Sequence, residues 1–127
     1  MQKDGTPLRI LVVDDEPLIL YGIEKILNKF AEVKTVGSAE DALEEIETQH
    51  YDLCLLDVIL PGMNGLEAMK IINKRSPNTK VAIMTGSSLD EDMHREINEL
   101  AYEFVEKPFE LSRIRNIAEK VAATLKE

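Results

Sequence analysis

The chain has 127 residues, 15 basic against 24 acidic, for a net charge of −9. That length fits one domain around one core, and the charge argues against autonomous binding to nucleic acid or to an anionic membrane, favouring basic or metal-bearing partners. The single cysteine, Cys54, excludes an intramolecular disulfide and points to a reducing compartment, and no apolar run is long enough for a membrane span. The polar stretch from Met1 to Pro7 lacks the apolar centre of a signal peptide, so it is expected to be a flexible lead into a cytoplasmic domain over residues 8–127.

Leu8 to Val13 is a strand-like run rich in branched residues that stops at Asp14-Asp15-Glu16-Pro17. Pro17 suits the first turn of a helix, with the acid ahead of it as cap, and Ile19, Ile23, Ile26, Leu27 and Phe30 share one face. Val33 to Val36 predicts a second strand. Ser38 and Asp41 have capping spacing ahead of a second helix that buries Ala39, Ala42, Leu43 and Ile46. Asp52-Leu53-Cys54-Leu55-Leu56-Asp57 follows, a short apolar run bounded by turn residues. It reads as a strand buried on both faces, which delivers Asp57 where the strand leaves the core. Cys54 within it is a small core hydrophobe.

A loop rich in Pro-Gly and Asn-Gly then leads to a third helix carried by Leu66, Met69 and Ile72 and ended by Ser76-Pro77-Asn78. Lys80 to Met84 predicts a fourth strand, closed by Thr85-Gly86-Ser87-Ser88. Ser88 and Glu91 again have capping spacing, and Leu89, Met93, Ile97 and Leu100 form the next stripe. Tyr102 to Val105 predicts a fifth strand, ended by Glu106-Lys107-Pro108-Phe109. Leu111, Ile114, Ala118, Val121 and Leu125 make the seam of the last helix.

Five strands alternating with five helices predict an α/β fold, a doubly wound, five-stranded parallel sheet in the order 2-1-3-4-5. Sites in such sheets form beyond the carboxyl ends of the strands. Those ends carry Asp14 and Asp15 after strand one, Asp57 after strand three, Thr85 after strand four and Lys107 after strand five. Three carboxylates at one edge repel unless a cation holds them, and oxygen ligands without neighbouring His or Cys suit Mg²⁺ or Mn²⁺ better than zinc. His50 and His94 lie away from these ends and read as solvated. Lys107 offers a cation for an anion or for Asp57, and Thr85 a hydroxyl for an incoming oxygen. A nucleophilic carboxylate, a metal site, a lysine and a hydroxyl together serve phosphoryl transfer.

With Asp57 ahead of a Pro-Gly-x-Asn-Gly loop, Thr85-Gly86 and Lys107-Pro108-Phe109, the chain resembles the receiver domain of bacterial two-component response regulators, a CheY-like, flavodoxin-like fold. The resemblance runs from about Leu8 to Leu125. It implies that Asp57 accepts a phosphoryl group from the phosphohistidine of a sensor histidine kinase or a histidine phosphotransfer protein. It also implies that Asp14 and Asp15 serve Mg²⁺, with Asp15, Asp57 and the backbone carbonyl of Ile59 as direct ligands. Lys107 and Thr85 then bind phosphoryl oxygens, Lys107-Pro108 is a cis peptide bond, and Thr85 with Phe104 forms the switch. The output face is helix four, strand five and helix five, which relays the signal to a downstream protein or domain or joins a homodimer. Arg113, Arg115 and Lys120 supply charges there. The protein is then a phosphoacceptor that assists its own phosphorylation and dephosphorylation, and not an enzyme.

Two departures from the family pattern stand out. Ile59 sets a branched apolar side chain two residues after Asp57, where a hydrolytic water approaches, so slow loss of phosphate is expected. Leu100-Ala101 replaces the usual Gly-Ala, leaving helix four without a left-handed cap. Competing readings are a receiver-like adaptor that is never phosphorylated, and the front domain of a longer transcriptional regulator. A phosphatase of the haloacid dehalogenase type is disfavoured because Ile59 occupies the place of its second Asp. A flavin carrier is disfavoured because Asp14-Asp15-Glu16 repels phosphate.

Overall fold

The computed structural model describes residues 7–86 and 89–125. The elements are β1 (Leu8–Val13), α1 (Pro17–Leu27), β2 (Ala31–Val36), α2 (Ala39–Thr48), β3 (Leu53–Asp57), α3 (Gly65–Arg75), β4 (Lys80–Thr85), α4 (Glu91–Leu100), β5 (Glu103–Glu106) and α5 (Leu111–Leu125). All strand pairs are parallel and the sheet order is β2-β1-β3-β4-β5, the expected doubly wound arrangement. Neighbouring elements run on in sequence, but β1 lies between β2 and β3, so the winding reverses there.

Side chains alternate along each strand, so the sheet feeds two cores. Leu11, Val13, Cys54, Leu56, Val81 and Ile83 face α2, α3 and α4, where Ala42, Met69, Ile72 and Ile97 meet them. Leu8, Ile10, Val12, Leu53, Leu55 and Met84 face α1 and α5, against Ile23, Leu27, Ile114 and Val121. Each such fully buried aliphatic side chain contributes about 1.5–3 kcal/mol, which is why β3, buried along its whole length, anchors the sheet. Burial of Cys54 pushes its thiol up to about 12, consistent with a core hydrophobe.

Several local expectations are corrected. Glu16 stands at the N-cap of α1 but makes no capping hydrogen bond with its side chain. The cap of α4 is Asp90, whose carboxylate accepts from the Met93 N–H at 2.8 Å; Ser88, expected to cap it, lies outside the described residues, as do Met1 to Thr6. Leu100 and Leu111, read as seam positions, are 40% and 39% exposed. Leu100 is the last residue of α4, which ends at Ala101 in an extended conformation, and Asn73 of α3 donates to the Leu100 carbonyl at 3.1 Å. Leu111 instead rests over Gly22 of α1, and Ile117 takes a buried place in α5 that the seam had omitted. The cap of α2 is as expected, with Ser38 Oγ accepting from the Asp41 N–H at 3.1 Å.

Candidate functional site

The carboxyl ends of β1, β3, β4 and β5 converge because adjacent strands are in register. Val13 pairs with Leu56, Asp57 with Met84, and Thr85 with Glu106. Backbone hydrogen bonds carry this alignment past the strand ends. The Val58 N–H donates to the Met84 carbonyl at 3.2 Å and the Lys107 N–H to the Thr85 carbonyl at 2.6 Å. Asp14 is held the same way, its N–H donating to the Val36 carbonyl at 3.2 Å.

Ligand oxygens of Asp14, Asp15, Glu16 and Asp57 all lie within 4.8 Å of one another. Asp14 and Asp57 are buried, whereas Asp15 and Glu16 are exposed. Lys107 reaches into this notch: its Nζ donates to Asp14 Oδ2 at 2.6 Å, to Asp57 Oδ2 at 3.1 Å and to Glu16 Oε1 at 3.3 Å. The Lys107-Pro108 peptide bond is cis.

Electrostatics in the notch are opposed and unequal. Burial, and then the charge of Asp14, push the Asp57 carboxyl above the usual carboxylate range, while Lys107 and the Ile59 N–H pull it back only in part. Burial pulls the Lys107 ammonium down, but its hydrogen bonds to Asp14 and Asp57 outweigh that and hold it above its ordinary value. The lysine is therefore charged and the pair of buried acids is only partly neutralised. Dense oxygen ligands with residual negative charge suit a hard divalent cation, and Asp14, Asp15, Glu16 and Asp57 are the residues able to hold one.

The other sequence-selected residues are placed as follows. Thr85 is buried at the end of β4, and its hydroxyl donates to the Gly86 carbonyl at 3.2 Å. Ile59 donates its N–H to Asp57 Oδ1 at 3.2 Å, and the residue is 58% exposed. Phe104 is half-buried in β5, with the exposed His94 ring of α4 edge-on to it at 6.1 Å. His50 lies on the buried Asp52 at 3.2 Å, ahead of β3 and at the opposite end of that strand from Asp57. Arg113 and Lys120 pair with Glu103, at 3.5 and 2.7 Å, and Arg115 with Glu119 at 3.5 Å. The sequence reading missed Glu16 as a member of the notch. The signal was present, a third acid directly after Asp14-Asp15, but the following proline made it read as a helix cap.

Residues 10–119 match the family model described as "Response regulator receiver domain". This chain belongs to that family. Among curated relatives, the receiver domain is 36% identical over 120 residues to the nitrogen assimilation regulatory protein NtrX of Azorhizobium caulinodans, covering 92% of this chain and 26% of that protein. A CheY-like response regulator receiver domain protein from Methanospirillum hungatei JF-1 superposes with a TM-score of 0.83 at 31% identity, covering 91% of this chain and 94% of that one. The response regulator TrrA of Thermotoga maritima, solved in complex with Mg(2+)-BeF, gives 0.78 at 31% identity over 90% of this chain and 98% of that one. This receiver domain spans between 26% and 56% of the length of the curated relatives compared. Among the described residues no helix is long and apolar enough to cross a membrane.

Proposed function

We propose that this receiver domain is a phosphorylatable switch in a two-component pathway of the cytoplasm, with Asp57 as the phosphoacceptor. The observation that carries the reading is Lys107 Nζ within 3.1 Å of a buried Asp57 oxygen, in a notch whose carboxylates can also hold Mg²⁺ or Mn²⁺. Asp57 Oδ attacks the phosphorus of a phosphohistidine on a histidine kinase or phosphotransfer protein. A P–O bond forms, the P–N bond breaks, and its electron pair leaves on the imidazole nitrogen, which takes up a proton. The metal, when bound, neutralises charge on the carboxylates and on the phosphoryl oxygens.

The protein's own groups do the rest. Asp57 at the end of β3 and Lys107 after β5 are both aligned against β4, by the bonds from Val58 to Met84 and from Lys107 to Thr85, so the acceptor oxygen and the cation that receives the phosphoryl oxygens are positioned in advance. Asp15, Asp57 and the Ile59 carbonyl are assigned to the metal, with Asp14 beside them. Thr85 is assigned to a phosphoryl oxygen, which requires its hydroxyl to leave the Gly86 carbonyl. That movement, with reorientation of Phe104, switches the α4-β5-α5 face. A groove of about 520 Å³ lined by Phe104, Phe109 and Arg113 on this face supports its use as an output surface or in a homodimer. Direct binding of nucleic acid by this domain is not part of the reading, given its net charge of −9.

The test is incubation with Mg²⁺ and acetyl phosphate followed by intact mass. One added phosphoryl group, lost in an Asp57→Asn variant, is expected. No adduct with acetyl phosphate or with a phosphorylated histidine donor refutes the reading and leaves an adaptor.

A further inference from the structure

An ammonium group has three N–H donors, and each of those on Lys107 has a carboxylate partner: Asp14 at 2.6 Å, Asp57 at 3.1 Å and Glu16 at 3.3 Å. A phosphoryl oxygen on Asp57 must take one of these donors. The three partners differ in how firmly they are held. Asp14 is fully buried, and its other oxygen accepts from the Glu16 N–H at 2.9 Å, so it is fixed twice. Asp57 carries the phosphoryl group itself. Glu16 makes the longest contact, its side chain is 59% exposed, and that side chain makes no capping hydrogen bond on α1 although the residue occupies the N-cap.

We propose that Glu16 is a positioning residue for phosphoryl transfer, occupying the third hydrogen bond of Lys107 in the resting protein and yielding it to the incoming phosphoryl oxygen. The inference rests on the reading of Asp57 as phosphoacceptor. Glu16 competes with the phosphoryl group for one donor. Releasing its carboxylate to water costs little because more than half of it is already in water. The Asp14 carboxylate holds the Glu16 backbone at the notch, and with the full-length side chain already at 3.3 Å from Lys107, one a methylene shorter is expected to fall short.

Two variants of the full chain test this, with beryllofluoride as a stable phosphoryl mimic and Mg²⁺ at a concentration that saturates each protein. Glu16→Ala removes the competitor without removing a helix cap. Glu16→Asp keeps the charge but is one methylene shorter. Calorimetric titration is expected to show both variants binding beryllofluoride about two- to fivefold more tightly than the parent, the worth of an exposed ion pair. Thermal melting measured alongside separates a loss of fold from a change at the site. Unchanged or weaker binding in Glu16→Ala overturns the proposal. So does a Glu16→Asp protein that binds like the parent, which assigns the effect to charge at a distance. A parent that binds no beryllofluoride removes the phosphoacceptor reading first, and this proposal with it.

Discussion

Lys107 Nζ lies closer to Asp14 Oδ2, at 2.6 Å, than to Asp57 Oδ2, at 3.1 Å. The lysine thus compensates a pair of buried acids, one of which is not itself the proposed acceptor. Its side chain is 14% exposed and that of Asp14 not at all, so the pair behaves as a buried one. Substituting Lys107→Met keeps most of the apolar stem and removes the charge, stranding two carboxylates. Loss of one partner from such a pair costs about 3 kcal/mol, which denaturant unfolding without metal is expected to show. Added Mg²⁺ should return part of it, since a ligand of the native state alone stabilises by mass action. Equal metal-free stability of variant and parent refutes the arrangement.

The raised pKa of Asp57 has a sign that can be measured. An acid that is harder to ionise in the folded chain binds more protons there than when unfolded. Its contribution to stability therefore falls as pH rises from its ordinary value of 3.8 up through its folded value, and stays lost above it. Glu103, lowered by its hydrogen bond to Lys120, acts in the opposite sense, losing stability as pH falls through its own folded value. The comparison with Asp57→Asn isolates the first effect. Without metal, the variant is expected to melt a few degrees above the parent at pH 7, with the gap closing as pH approaches 4. A gap that widens on acidification, or an Asn variant that melts lower at pH 7, contradicts the assignment.

How much of this was legible before the structure depends on what kind of contact is asked about. Strand exits were legible because Ile10 to Val13 and Leu53 to Leu56 are continuous apolar runs that end at acids, and register then brings Asp14, Asp57 and Lys107 to one edge. Boundaries moved where burial is partial. β2 begins at Ala31, because pairing with Leu8 outweighs the exposed Glu32, and β5 runs one residue late. The partners of the charged groups were legible only in part: Asp57 was foreseen for Lys107, whereas Asp14 and Glu16 were not. Nothing local says that Glu16, 91 residues before Lys107, turns towards it instead of capping α1, since the lysine arrives from the far edge of the sheet, across β3 and β4. The end of α4 was half legible: the missing glycine was visible in Leu100-Ala101, whereas its replacement by a bond from Asn73 was not.

Gly65 places the first turn of α3 directly on the exit of β3. A Cβ there would sit 2.1 Å from the Asp57 backbone oxygen and 2.8 Å from Val58 Cα, and neither is a flexible side chain that could step aside. The Gly65 N–H also donates to the Val58 carbonyl at 2.8 Å, so the two segments cannot part without losing that bond. Gly65→Ala is therefore expected to cost about 3 kcal/mol or more and to displace Asp57 itself. Denaturant unfolding checks the first effect. Uptake of a phosphoryl group from acetyl phosphate under conditions where the variant is folded checks the second. A variant close to the parent in both would show that α3 is free to move off the strand.

Ile59 offers the cleanest separation of chemistry from scaffold. Its backbone N–H already holds Asp57 Oδ1 at 3.2 Å, a bond that any residue except proline can make, so replacing the side chain leaves the Asp57 carboxylate in place. Ile59 is 58% exposed while Asp57, two residues before it, is 4% exposed, so an almost covered carboxylate is followed in the chain by a branched hydrocarbon in solvent. A water approaching the phosphorus of an aspartyl phosphate from that side would find no polar group on residue 59. In Ile59→Asn the amide can hold such a water, and loss of the phosphoryl group is expected to quicken by about three- to tenfold, a barrier change of about 0.7 to 1.4 kcal/mol. Intact mass followed over time, after removal of excess acetyl phosphate, gives the rate directly. Decay that is unchanged or slower in the variant would mean that access of water is governed elsewhere, with the exposed carboxylates of Asp15 and Glu16 the next groups to vary.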